Sequence, residues 1–229
     1  MAIMENTSDL SMSPRYTEWL RYVFDRPVTP NAWFFDLDVE PFDAGPCELA
    51  GLIVATFEHC GRDLAPYSDE QLSHGISFIL DNSSSDCVFA LMSEDVPLAL
   101  RLRAIASLEK LYSDIFEPRC APVLGHLDED GGNAMNTVCY MLWDASPLSC
   151  WERSKEKAVF YGAVADVLDH ALRSPNRACV ESALHGLGHI HLYHSCRVEQ
   201  IVDAFLEHGV RRFPELRRYA QRARKGQVL

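Results

Sequence analysis

Hydrophobic positions recur three or four residues apart through most of the chain. Residues 97–116, PLALRLRAIASLEKLYSDIF, place Leu98, Leu102, Ile105, Leu108, Leu111, Tyr112 and Ile115 on one stripe, the spacing of a long amphipathic helix. Pro97 suits its first position, where no intrahelical N–H bond is lost. The same rhythm predicts helices near 69–80, 85–93, 133–144, 155–172, 176–194, 197–208 and 214–224, with Ser174-Pro175, Gly209 and Pro214 as punctuation. Alternating strand patterns are nearly absent. Short connections favour antiparallel neighbours, so the expected fold is all-α, built of stacked antiparallel helix hairpins. Helix starts near 155, 176, 197 and 214 lie roughly twenty residues apart, the pace of a HEAT-like α-solenoid.

The chain before Gly61 is less regular. Arg15–Phe24 and Glu48–Cys60 read as helices, whereas residues 25–46 hold Pro27, Pro30, Pro41 and Pro46 and read as loop. Trp33, Phe34, Phe35 and Phe42 make that loop too apolar for a solvated linker, so it is expected to wrap onto the helices. The organisation expected is a disordered segment over 1–14 and a single helical domain over 15–229. Within that domain, 15–61 form an irregular cap and 62–229 the stacked helices.

With 229 residues, 48% apolar and 24% charged, the composition is that of a folded globular protein. The longest apolar run, Ala50 to Phe57, is far shorter than the roughly 18 residues a membrane span needs. The polar start MAIMENTSDLSMS has neither the basic nor the apolar region of a secretory signal, so a cytoplasmic protein without membrane contact is expected. Eight cysteines without a CxxC pair read as reduced core residues.

Charge divides the chain unevenly. The net charge is −12, yet the last 21 residues carry +6, which leaves −18 on the first 208. Such an acidic body repels polyanions and disfavours nucleic acid as a partner; it suits a basic protein partner. The basic stretch RRFPELRRYAQRARKG puts Phe213, Leu216, Ala220 and Ala223 on one face and reads as a terminal helix closing the stack. Tyr219 is the aromatic residue of that stretch expected to be exposed.

The chemistry-bearing segment is CVESALHGLGHIHLYHSC, residues 179–196. At 100° per residue, Cys179, Ala183, Leu187, Ile190 and His194 share one side of a helix, while Glu181, His185 and His189 form a stripe expected to face away from the core. One carboxylate and two imidazoles at i, i+4 and i+8 are ligands suited to Zn, with Cys179 as a further donor. Three ligands over two turns span about 12 Å, so two of them reach one ion only with help from elsewhere. The zincin pattern is broken, because Gly186 stands where its general base belongs. Gly186 and Gly188 permit close approach of a neighbouring helix or a partner, so at least one of His185 and His189 is expected to be buried against packed helices, and Glu181 with His185 fits an ordinary i, i+4 polar pair.

Other signatures fail. Asp36 and Asp38 in WFFDLDVEPFD lack the surroundings of a phosphatase nucleophile or a calcium loop. Gly186-x-Gly188 lacks the third glycine of a dinucleotide fingerprint, and neither a GxxxxGK[ST] loop nor a GxSxG elbow occurs. Cys150-Trp151 lacks the context of a thiol-protease nucleophile.

The strings FDRPVTPNAWFFDLD, LAPYSDEQLSHGISFIL, RCAPVLGH, NTVCYMLWDASP, CVESALHGLGH, IVDAFL and YAQRARKGQVL together resemble a family of bacterial helical, HEAT-like proteins to which no activity is assigned. The resemblance runs from about Trp19 to Leu229 and is most specific at ESALHGLGH and YAQRARKGQVL. It implies a bacterial cytosolic helical-repeat protein and transfers no catalytic residue. Where such proteins carry an aromatic after GLGH, this chain has Ile190.

The function expected is a non-enzymatic protein-binding module without a cofactor, for example an immunity or regulatory partner of a basic protein. Its binding surface is placed at Glu181, His185, Gly188 and His189. The alternative is a metal-dependent hydrolase with Zn held by Glu181, His185 and His189.

Overall fold

A computed structural model describes residues 13–29 and 31–228, and among them it contains ten α-helical segments and no strand. They are α1 (Pro14–Phe24), α2 (Pro46–Glu58), α3 (Cys60–Asp63), α4 (Asp69–Leu80), α5 (Leu98–Lys110), α6 (Glu117–Arg119), α7 (Ala134–Ala145), α8 (Lys157–Ala171), α9 (Arg177–Glu207) and α10 (Arg217–Ala223). The all-α expectation therefore holds. None of these helices is long and apolar enough to cross a membrane. The expected disorder of residues 1–14 lies, for 1–12, outside the described residues. Ser13 and Pro14 are ordered as the cap and first residue of α1, with the Ser13 hydroxyl accepting from the Tyr16 N–H.

Two expected elements take a different form. Residues 87–92 wind as a 3₁₀ helix rather than an α-helix. The stripe over 97–116 is α-helical to Lys110 and then widens into a π turn at Leu111–Phe116. Pro118 follows at once, and its ring would collide with the carbonyl four residues back in a regular helix; the wider turn relieves that clash. The helices expected at 176–194 and 197–208 are the two arms of α9, which is kinked at His194, where φ and ψ of −143° and 39° are not helical.

The buried apolar side chains form one continuous cluster, from Tyr16 and Trp19 in α1 to Ala223 and Val228 at the other end. Helix contacts run in two files, α2 to α5 to α8 and α4 to α7 to α9, with α1 against α4 and α10 against α9. Five of the eight cysteines are buried, and all eight are free. Burial pushes the Cys60 thiol up to about 12, so it stays protonated in the core.

Two asparagines set the register of the helices that matter most. Asn133 caps α7 and also donates from Nδ2 to the Arg119 carbonyl (2.8 Å). Asn176 caps α9 and donates to the carbonyls of Glu117 (3.1 Å) and Cys120 (2.8 Å). Both caps grip one short stretch of chain, so α7 and α9 start from a common anchor. Along their contact, Gly186 of α9 lets Trp143 and Leu168 approach so closely that a Cβ there would lie 2.7 Å from both side chains. Trp143 cannot swing away freely, because its indole N–H donates to the Tyr112 hydroxyl (2.9 Å) inside the core.

This contact predicts a contrast between two helix glycines. Gly186→Ala is expected to lower unfolding free energy by about 1–3 kcal/mol through overpacking. Gly162→Ala in α8, where an added Cβ meets nothing within 4 Å, is expected to stabilise by up to about 1 kcal/mol through helix propensity. Urea denaturation of the two variants measures the difference.

Candidate functional site

Helix α9 presents His185 and His189 one turn apart, and α7 presents Tyr140 and Asp144 with the same spacing. Where the two helices meet, the Asp144 carboxylate lies between both imidazoles. Its Oδ2 is 2.6 Å from His185 Nε2 and its Oδ1 is 2.9 Å from His189 Nε2. The two Nε2 atoms are 3.1 Å apart. Asp144, His185 and His189 are the group among the described residues whose ligand atoms converge as a metal site requires, all within 4.8 Å of one another.

Glu181 does not join them. The stripe was expected to face outward with at least one imidazole covered by neighbouring helices; Glu181 and His185 are only 1% and 3% exposed, so the outward placement fails and the burial of one imidazole holds. Nor do the two form the expected i, i+4 pair. The Glu181 carboxylate instead accepts the backbone N–H of Gly125 (2.8 Å) and of His126 (2.9 Å) and pairs with His126 Nδ1. A buried carboxylate keeps its charge only where donors replace water, and this loop supplies three. Gly188 is a packing residue, since a Cβ there would lie 2.3 Å from Val228. Cys179 is buried in the core on the other side of α9, with Ala183, Leu187 and Ile190.

Behind the cluster stands Tyr219, delivered by α10. It was expected to be exposed, yet it is buried, with its hydroxyl bonded to His185 Nδ1. Its ring stacks on His126 at 4.3 Å, and Tyr140 lies over His185 at 4.9 Å. A chain of contacts thus runs from Glu181 through His126 and Tyr219 to His185. Burial drives the Tyr219 hydroxyl far above the ordinary tyrosine range, so it remains a neutral hydroxyl. Such a hydroxyl can donate to Nδ1 or accept from it, and so supports either imidazole tautomer. With Asp144 alone as partner, His185 carries its proton on Nε2. Were a cation held on Nε2, the proton would stand on Nδ1, where the Tyr219 hydroxyl could accept it.

The cluster is buried on the His185 side and open on the other, where the side chains of Asp144 and His189 are each 24% exposed. Burial is the largest influence on His185 and holds its pKa below 6.5, although the Asp144 charge pulls upward. His185 is therefore neutral near pH 7, the state in which imidazole can ligate a metal.

The depressed pKa fixes the sign of a pH effect. As pH falls below about 6.5, the unfolded chain takes up a proton at this residue more readily than the folded one. Stability contributed by neutral His185 is present above that range and lost below it. Thermal unfolding between about pH 7.5 and 5.5 is expected to show a falling midpoint. His185→Gln is expected to show a shallower dependence on a lower baseline.

Comparison with known proteins leaves the site to be read from its own geometry: no family model, no curated protein and no solved structure matches the chain.

Proposed function

We propose that the protein is a metal-dependent hydrolase whose cation, zinc in the first instance, is held by Asp144, His185 and His189. The convergence of two imidazole nitrogens and one carboxylate on a single point carries this reading. Catalytic zinc sites use three protein ligands and leave the fourth position to water or substrate. Tetrahedral ligands at zinc distances lie about 3.3 Å from one another. The separations here, 2.6, 2.9 and 3.1 Å, need only a small expansion to reach that value. Tyr219 supplies the outer hydrogen bond that orients a ligating histidine. The exposed side of Asp144 and His189 leaves the fourth position to solvent, where a bound cation acidifies water.

Zinc titration of chelator-treated protein is expected to reach about one equivalent. His189→Ala and Asp144→Ala are expected to weaken zinc by tenfold or more. Glu181→Gln is expected to retain it, because that carboxylate serves the 125–126 backbone. Zinc binding below about 0.1 equivalent in the unaltered protein sinks the proposal.

A HEAT-like stack is part of the same reading, supported by the two files of helix contacts. A second reading, a protein-binding module for a basic partner, draws on the segment 28–43. Trp33 is buried there against Phe78 (4.7 Å), and Phe34 and Phe42 are half-buried, as the sequence led us to expect. Phe35, however, is exposed, and Leu37 is 99% exposed, amid exposed Asp36, Asp38, Glu40 and Asp43. An apolar projection ringed by carboxylates suits a cationic surface with an apolar socket. Capture of a basic protein that persists unchanged in the Phe35→Ser, Leu37→Ser double variant argues against this segment as the contact.

A further inference from the structure

The +6 charge of the last 21 residues is divided by the fold: Arg212 reaches the Ser174 carbonyl ahead of α9, whereas Tyr219 and Lys225 of the same segment stand beside His185 and His189. Helix α10 seats Tyr219 under His185. By the 100° rotation per residue, Arg218 and Arg222 lie on the edge of α10 next to Tyr219, and the Arg222 charge acts on Tyr140 across the site. Beyond α10 the chain turns at Gly226, whose φ of +68° is in the left-handed region that favours glycine. That turn seats Val228 on Gly188 and leaves Lys225 beside α9. The result is a cleft of about 350 Å³ that His189 and Lys225 line together, with Gly188, His191 and Leu192.

The cations here differ in their partners. Arg224 is neutralised by Asp203 (2.6 Å) and Glu199 (3.1 Å). Lys225 and Arg218 have no carboxylate partner among the described residues, and both are exposed. In a protein whose other 208 residues carry −18, a cleft shared by a candidate metal ligand and an unneutralised ammonium selects for an anion at that place.

Resting on the metal-site reading above, we propose that the substrate is a small phosphate ester. Its phosphoryl oxygens would lie between the Asp144–His185–His189 cation and Lys225, in the cleft beside His189. A phosphoryl group offers several oxygens and can meet a cation on one side and an ammonium on the other, whereas a neutral ester or amide makes no use of Lys225. In the hydrolysis, water oxygen bonds to phosphorus and the ester P–O bond breaks. The electron pair of that bond leaves with the alkoxide oxygen, which takes a proton from the water, so the products are an alcohol and inorganic phosphate.

Inorganic phosphate is the binding probe, titrated calorimetrically into zinc-loaded protein at low ionic strength, with acetate as the comparison anion. Phosphate is expected to bind at least tenfold more tightly than acetate. Lys225→Gln is expected to weaken it about fivefold, the size of one exposed charge contact, while zinc content stays at the unaltered level. Zinc-loaded protein is also expected to hydrolyse p-nitrophenyl phosphate in preference to p-nitrophenyl acetate. Equal affinity for the two anions, an unchanged phosphate affinity in Lys225→Gln, or preference for the acetate ester overturns the proposal. If the unaltered protein fails to take zinc, the metal reading falls by itself. The same phosphate titration on metal-free protein then decides the anion subsite, with loss of binding in Lys225→Gln expected and its persistence contrary.

Discussion

The close approach of α7 to α9 at Gly186 is the constraint on which the site depends. A side chain at that position would have to displace Trp143 or Leu168, both buried and one of them hydrogen-bonded within the core. With glycine there, the two helices pack close enough for a short aspartate on one to reach two histidines on the other. Asp144 has only two rotatable side-chain bonds, so a wider spacing would leave its carboxylate short of both Nε2 atoms. Backbone packing and site geometry are therefore one feature. The asparagine caps at 133 and 176 reinforce it by tying the starts of both helices to residues 117–120.

Polar burial around the cluster is organised rather than incidental. Glu181, His126, Tyr219 and His185 are connected in series, each satisfying or stacking on the next. Each group in such a chain is expensive to bury alone and inexpensive when paired. The order along the chain matters for chemistry: the charged carboxylate of Glu181 is spent on holding the 125–126 loop, and a neutral tyrosine faces the histidine. This leaves the Nε2 of His185 to Asp144, whose side chain is partly exposed.

Charge divides the chain unevenly. The first 208 residues carry −18, while the C-terminal segment carries +6 and brings Lys225 to a cleft that His189 also lines. The same segment contributes Tyr219, so it supplies both the hydroxyl behind His185 and, just beyond α10, Lys225 beside His189.

The sequence by itself determined the helices, because an apolar stripe at helical period and a proline or capping residue at each end are local signals. Residues 69–80 and 133–144 illustrate this, matching α4 and α7 to within a residue. It also singled out His185 and His189, since two imidazoles four residues apart share a helix face wherever that helix goes. It grouped Glu181 with them for the same reason, and there the local rule was insufficient: sharing a stripe does not decide which neighbour each side chain meets. The carboxylate that completes the cluster, Asp144, lies 41 residues from His185, and Tyr219 lies 34 residues away. One hint was present, a lone aspartate closing the apolar run TVCYMLWDA, but nothing local distinguishes it from an ordinary exposed helix end. Only the tertiary structure decided that Asp144 replaces Glu181, because that choice rests on which helices touch and how closely. Such distances are set by packing at Gly186, not by the periodicity of any single helix.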